Sequence, residues 1–204
     1  IEKIYQHYFT MNFPNTLTIL RILLTFCAVA LVCTDVRYCA LAAFFVYVVA
    51  GTTDWFDGYL ARKYNAVTVF GKFMDALSDK IMVVTMFMTL FALDMYRDWT
   101  LAALVCAIAS VTREFAVSGI RMVASNAGIV LAAEKMGKYK AAFQMYSVGA
   151  IILAFAMKVD FGTTRGFVAE FAYGSGIATL LLSTVLSVWS GLGYIRRYGH
   201  LLKG

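Results

Sequence analysis

The chain has 204 residues, of which 61% are hydrophobic and only 15% charged, with one proline and a mean hydropathy of +0.74. A soluble domain carries about 25% charged residues, so this composition excludes an ordinary soluble globule, and the long apolar runs make lipid the solvent for most of the chain. The net charge of +6 lies mainly beside those runs, where it reads as membrane topology and attraction to anionic headgroups and argues against a nucleic-acid partner.

The chain opens with Ile1 rather than methionine, and residues 1–12 are expected to be a short interfacial segment or a remnant. No cleavable leader is expected, because the first strongly apolar run is already span-length and lacks a small-residue cleavage site. Six stretches then reach the roughly 20 residues that a helix needs to cross a bilayer. They are 13–34, 38–61, 71–95, 99–122, 137–158 and 167–195. The last is long and is expected to tilt or project. The expected fold is an all-α, polytopic membrane protein with six transmembrane helices, forming a single domain over 1–204.

An even number of spans puts both termini on one side. Of the 18 Lys and Arg residues, all but Arg37, Arg97, Lys158 and Arg165 fall on that side. The positive-inside rule makes it the cytoplasmic side, with the plasma (inner) membrane as the expected location. Cys27, Cys33, Cys39 and Cys106 lie in or beside spans with no CxxC pair, which reads as apolar packing rather than a zinc site or disulfide framework. His7 and His200 suggest no site.

The acidic residues carry the chemistry. Asp54, Asp57, Asp75 and Asp79 lie in or at the edge of predicted spans, where an ionised aspartate costs about 2.5–3.5 kcal/mol at mid-span. Four such groups call for a neutralising cation. Oxygen ligands without Cys or His favour a hard divalent ion, Mg2+ first and Mn2+ next. Positions 54, 57, 58 and 61 follow i, i+3, i+4, i+7 and make one helical stripe; positions 71, 75 and 79 make another. The stripes close span 2 and open span 3, where they can face each other near the cytoplasmic surface. Gly58, Ala61 and Gly71 leave room for a ligand beside the carboxylates.

Residues 54–79 read D-x-x-D-G-x-x-A-R, eight residues, then G-x-x-x-D-x-x-x-D. Every specified position resembles the signature of the CDP-alcohol phosphotransferase family, in which the motif straddles the second and third of six membrane helices. The resemblance implies transfer of a phosphatidyl group from CDP-diacylglycerol to an alcohol. It implies that Asp54, Asp57, Asp75 and Asp79 are metal ligands for two Mg2+ (or Mn2+) ions. It also implies that Asp79 is the catalytic base toward the acceptor hydroxyl, and that Gly58, Ala61, Arg62 and Gly71 receive CDP-diacylglycerol. Homodimerisation is a further family expectation. Small residues in span 6 (Gly174, Ser175, Gly176, Gly191 and Gly193) suit close helix packing.

A basic group stands on the same predicted side as the aspartates. Thr112–Arg121 ends span 4 and Gly137–Lys140 opens span 5, contributing Arg113, Arg121, Lys138 and Lys140. Arginine offers paired donors and lysine a point charge, which suits a phosphate on the acceptor. Ordinary positive-inside loop charge is the bland alternative, strongest for the lysines. The R-E-F-x-x-S-G-I-R and G-K-x-K strings, with Asn15–Arg21, resemble the phosphatidylglycerophosphate synthase branch of the family, which implies glycerol 3-phosphate as acceptor. One departure is Met74-Asp-Ala-Leu-Ser-Asp-Lys80, where that branch usually has a proline after the first aspartate. Inositol phosphate, serine and a lipid alcohol remain alternative acceptors. A cation transporter could also use intramembrane aspartates, but it would not need the glycines, Ala61 and Arg62 at this spacing.

Overall fold

The computed structural model describes residues 2–63, 69–126, 129, 135–162 and 166–199; over 2–15, 54–63, 69–73, 75, 76, 126, 135, 136 and 138 it describes the backbone alone. Among the described residues there are six α-helices and no strand. They are α1 (Glu2–Val32), α2 (Cys39–Lys63), α3 (Val69–Ala92), α4 (Thr100–Asn126), α5 (Lys135–Val159) and α6 (Phe167–Tyr198), with one 3₁₀ turn, Arg97–Trp99, before α4. Each predicted span corresponds to one helix. Where a helix outruns its predicted span, as at the start of α1 and the ends of α4 and α6, the backbone ladder continues through the polar residues at which a hydropathy run stops. Thus α1 begins at Glu2. At their C-terminal ends α1 and α3 instead stop short of the predicted spans, at Val32 and Ala92.

The helices pack as a connected bundle: α5 lies along α6, α1 along α2 and α3, α2 against α5, and α4 against α6. The main core joins Ala28 and Val32 of α1, Tyr47 of α2, Met86 and Leu90 of α3, Ile151 and Ile152 of α5, and Ile177 and Leu180 of α6. A smaller cluster of Val117, Ile120 and Tyr194 seals α4 to α6. At Gly176 the α5–α6 approach is too close for a side chain, since a β-carbon there would stand 2.9 Å from Ile151 Cγ1. The hydroxyl of Ser147 donates to the Gly176 carbonyl at 2.7 Å. Gly176 and Gly191 therefore serve packing within the chain, whereas nothing lies within 4 Å of a β-carbon on Gly174 or Gly193.

Large apolar side chains cover the outside of the bundle, among them Leu101, Ile108, Phe167, Phe171 and Trp189. Among the described residues three helical stretches are long and apolar enough to cross a membrane, Arg97–Ser125, Tyr139–Val159 and Phe167–Tyr198, and the shorter Thr16–Val32 and Cys39–Thr53 are apolar as well. Apolar surface on this scale is lipid-facing surface. The protein is an integral membrane protein.

One end of the bundle is closed by contacts absent from the sequence reading. Asp160, buried at the end of α5, accepts from the backbone N–H groups of Tyr38 at 2.9 Å and Leu41 at 2.7 Å. It caps the first turn of α2 from another helix, satisfying donors that a helix start otherwise leaves orphaned. Tyr38 sits in the left-handed region at φ 69°, and its ring meets Phe161 edge-on. Nearby, Arg97 lies 4.4 Å from the Tyr173 ring centroid and 3.6 Å from Glu170, while the Tyr173 hydroxyl donates to the Tyr96 carbonyl at 2.6 Å. Burial pushes the Tyr96 phenol well above its ordinary pKa.

Candidate active site

The opposite end carries the motif residues. Asp54, Asp57, Gly58, Ala61 and Arg62 occupy the last three turns of α2, and Gly71, Asp75 and Asp79 the first three turns of α3. Both segments are α-helical, so the i, i+3 and i, i+4 spacings hold each aspartate pair on one helical face. The side chains of Asp54, Asp57, Gly58, Ala61, Arg62, Gly71 and Asp75 lie outside the described residues, as does that of Lys138. Among the described residues no three His, Cys, Asp or Glu side chains converge, and the expected metal set depends on three aspartates beyond that description.

Asp79 is described in full. Its carboxylate is 59% exposed and its Oδ1 accepts from Arg21 Nη1 of α1 at 2.9 Å. The same Nη1 donates to Ser78 Oγ at 3.0 Å, and the Arg21 side chain is wholly buried. A guanidinium inside a helical bundle is costly unless paired, and α1 supplies it where α3 supplies the acceptors.

Beside Asp79 opens a cavity of about 210 Å³ between α2, α3, α4 and α5. Its polar lining comes from Asp79, Lys80, Glu114, Ser118, Arg121 and Gln144, and its apolar lining includes Met82, Met86, Val111, Met145 and Val148. Gln144 is 3% exposed, and its Nε2 has no hydrogen-bond partner among the described residues. A buried amide donor left without its hydrogen bond costs about 1–3 kcal/mol.

The expected acceptor-binding residues divide. Arg121 lines the cavity and leans on Tyr194, its Nε donating to the phenol oxygen at 3.3 Å. Arg113 instead turns toward α6, where Nη2 donates to Ser190 Oγ at 2.8 Å. Lys140 is buried and ion-paired to Glu114 Oε1. Glu114 Oε2 also stands 3.9 Å from Arg113 Nη1. The structure thus brings Asp79 and Arg121 to one cavity, and links Arg113 and Lys140 to it through Glu114. Sequence reasoning passed over Arg21, Glu114 and Gln144. The available signal was a charged or amide group inside an apolar run.

Residues 11–189 match the CDP-alcohol phosphatidyltransferase family. The chain belongs to this family. The matched range contains every motif position from Asp54 to Asp79, together with Arg21, Arg113, Glu114, Arg121 and Lys140. A CDP-diacylglycerol–glycerol-3-phosphate 3-phosphatidyltransferase of Bacillus subtilis is 38% identical over 154 residues, covering 70% of this chain and 77% of that protein. One of the same name from Escherichia coli K12 is 29% identical over 186 residues, covering 90% and 93%. A cardiolipin synthase (CMP-forming) of Oryza sativa is 31% identical over 201 residues, 94% of this chain but 59% of the plant protein. As a CDP-alcohol phosphatidyltransferase the protein is a transferase of phospholipid biosynthesis.

Proposed function

We propose that this phosphatidyltransferase moves the phosphatidyl group of CDP-diacylglycerol onto glycerol 3-phosphate, releasing CMP and forming phosphatidylglycerol phosphate. The observation that carries the reading is one cavity with Asp79 and Arg121 in its polar lining and methionine and valine side chains in the rest. A charged headgroup and a lipid chain need both kinds of wall. The bacterial relatives named for this reaction support the choice of acceptor.

The donor set fits a hard divalent ion: four carboxylates in two helical stripes, with Asp79 kept half-open beside the cavity rather than sealed in the core. Asp54, Asp57, Asp75 and Asp79 would hold two Mg2+ or Mn2+ ions, which supply charge neutralisation at the diphosphate and the departing CMP. Arg62 meets the diphosphate, while Gly58, Ala61 and Gly71 keep bulk away from the nucleotide. Asp79 takes the proton of the acceptor hydroxyl as its oxygen attacks phosphorus. Arg121 receives the acceptor phosphate in the cavity. Arg113, Lys138 and Lys140 add positive potential, and Glu114 holds two of them in place. The single domain has six spans and places both termini and the site on the cytoplasmic face of the inner membrane, and two copies form a homodimer.

A second reading takes phosphatidylglycerol as acceptor, in line with the name of the rice relative. Purified protein in vesicles, given CDP-diacylglycerol and Mg2+, separates the two by CMP release. Glycerol 3-phosphate should drive release and phosphatidylglycerol should not. The reverse result assigns the lipid acceptor, and release with neither would sink both readings.

A further inference from the structure

We infer that Arg21 is a positioning residue for Asp79, holding the carboxylate in the orientation that the transfer reaction requires; this rests on the proposed role of Asp79 in that reaction. The two residues are 58 positions apart, on α1 and α3. A single nitrogen, Nη1, binds both Ser78 Oγ and Asp79 Oδ1. This shared donor ties the carboxylate to the hydroxyl of its own neighbour and so restricts rotation of the aspartate side chain. The residue one turn along, Thr25, closes its hydroxyl onto the Arg21 carbonyl at 2.9 Å. The base of the arginine is therefore embedded in a satisfied stretch of α1.

The asymmetry of the pair separates positioning from simple pinning of α1 to α3. The Arg21 side chain is 0% exposed and that of Asp79 is 59% exposed. If helix attachment were the sole requirement, an apolar contact would serve as well, since replacing a buried ion pair by well-packed hydrophobes is often neutral or stabilising. Here the cationic end is sealed and the anionic end stays open on the cavity, which is the arrangement that keeps a carboxylate aimed. Lysine reproduces it only in part, because its ammonium is a strongly hydrated point charge on a flexible stem where the guanidinium is a rigid plane.

The test combines kinetics of CMP release with structures of the variants. Arg21→Met should lower kcat roughly 100-fold, the order expected of a displaced catalytic group, with both KM values within about three-fold. Arg21→Lys should fall between it and the wild type, and it carries the test if the methionine variant does not assemble. In an Asp79→Asn background Arg21→Met should cause no further loss, because a residue acting through Asp79 has nothing left to position. An unchanged kcat, a KM effect alone, or a full additional loss on top of Asp79→Asn would overturn the inference. A structure of the Arg21 variant should show Asp79 rotated with α1 and α3 in place. An unrotated carboxylate overturns the inference even if the wild type proves inactive with every acceptor, an outcome that removes the proposed reaction instead.

Discussion

Gly191 of α6 lies against the stem of Arg113 on α4, so closely that a β-carbon on the glycine would stand 2.6 Å from Arg113 Cγ. The obstructed atom is near the root of the side chain, so it cannot swing away without moving the guanidinium off Ser190. Alanine is favoured over glycine in a helix by about 1 kcal/mol, and overpacking opposes this by about 1–3 kcal/mol. Gly191→Ala should therefore be less stable than Gly193→Ala, where nothing stands within 4 Å, by about the overpacking cost. Thermal unfolding of the two variants in the same detergent checks it, and equal melting temperatures would mean that Arg113 is free to move aside.

Glu114 joins Arg113 and Lys140. Glu114→Gln takes the carboxylate from two largely buried cations, and loss of one partner from a buried pair costs about 3–5 kcal/mol. The side chain of Glu114 is 30% exposed, which places the expected loss toward the lower end. Adding Lys140→Met should recover part of it. A double variant no more stable than Glu114→Gln alone would show that Lys140 is not the group that needs the carboxylate.

Asp160 should matter for stability and not for turnover. Asp160→Ala leaves two backbone donors at the start of α2 without their acceptor, a capping loss of about 0.5–2 kcal/mol. Since the cap lies at the end of the bundle remote from Asp79, kcat for CMP release below the melting transition should match the wild type. A large fall in kcat would show that the two ends of α2 are coupled.

For the metal, the oxygen-only donor set predicts that excess chelator abolishes CMP release and that Mg2+ or Mn2+ restores it. Asp57→Asn and Asp75→Asn should each lower turnover by orders of magnitude while inserting normally. Near-normal rates in both variants would refute a two-metal site.

Arg121 tests the acceptor. Removing a charge-assisted contact worth roughly 1.5–3 kcal/mol should raise the KM for glycerol 3-phosphate by about ten- to a hundred-fold in Arg121→Ala. The KM for CDP-diacylglycerol should change little. Comparable rises for both substrates would place Arg121 at the nucleotide.

The sequence alone determined the helices and the motif. Each of the six apolar runs read from it falls on one of α1 to α6, because an apolar surrounding obliges the backbone to satisfy its own hydrogen bonds, and the fixed helical repeat aligns Asp54 with Asp57 and Asp75 with Asp79. The composition also foretold the apolar outer surface on which Leu101, Phe171 and Trp189 are exposed. What periodicity cannot report is the rotation of one helix against the next, and every contact missed depends on that rotation. Arg21 reaches Asp79, Asp160 reaches Leu41 across 119 positions, and Lys140 meets Glu114 only because particular faces of α1, α5 and α4 turn toward particular neighbours. Arg113 shows the same limit: the sequence groups it with Arg121 for one acceptor phosphate, yet packing against Gly191 and Ser190 sends it to α6. Local spacing specifies a face, but the partner of a charge is set by packing, where buried volume and the cost of an unpaired ion outweigh any preference written in the neighbouring residues.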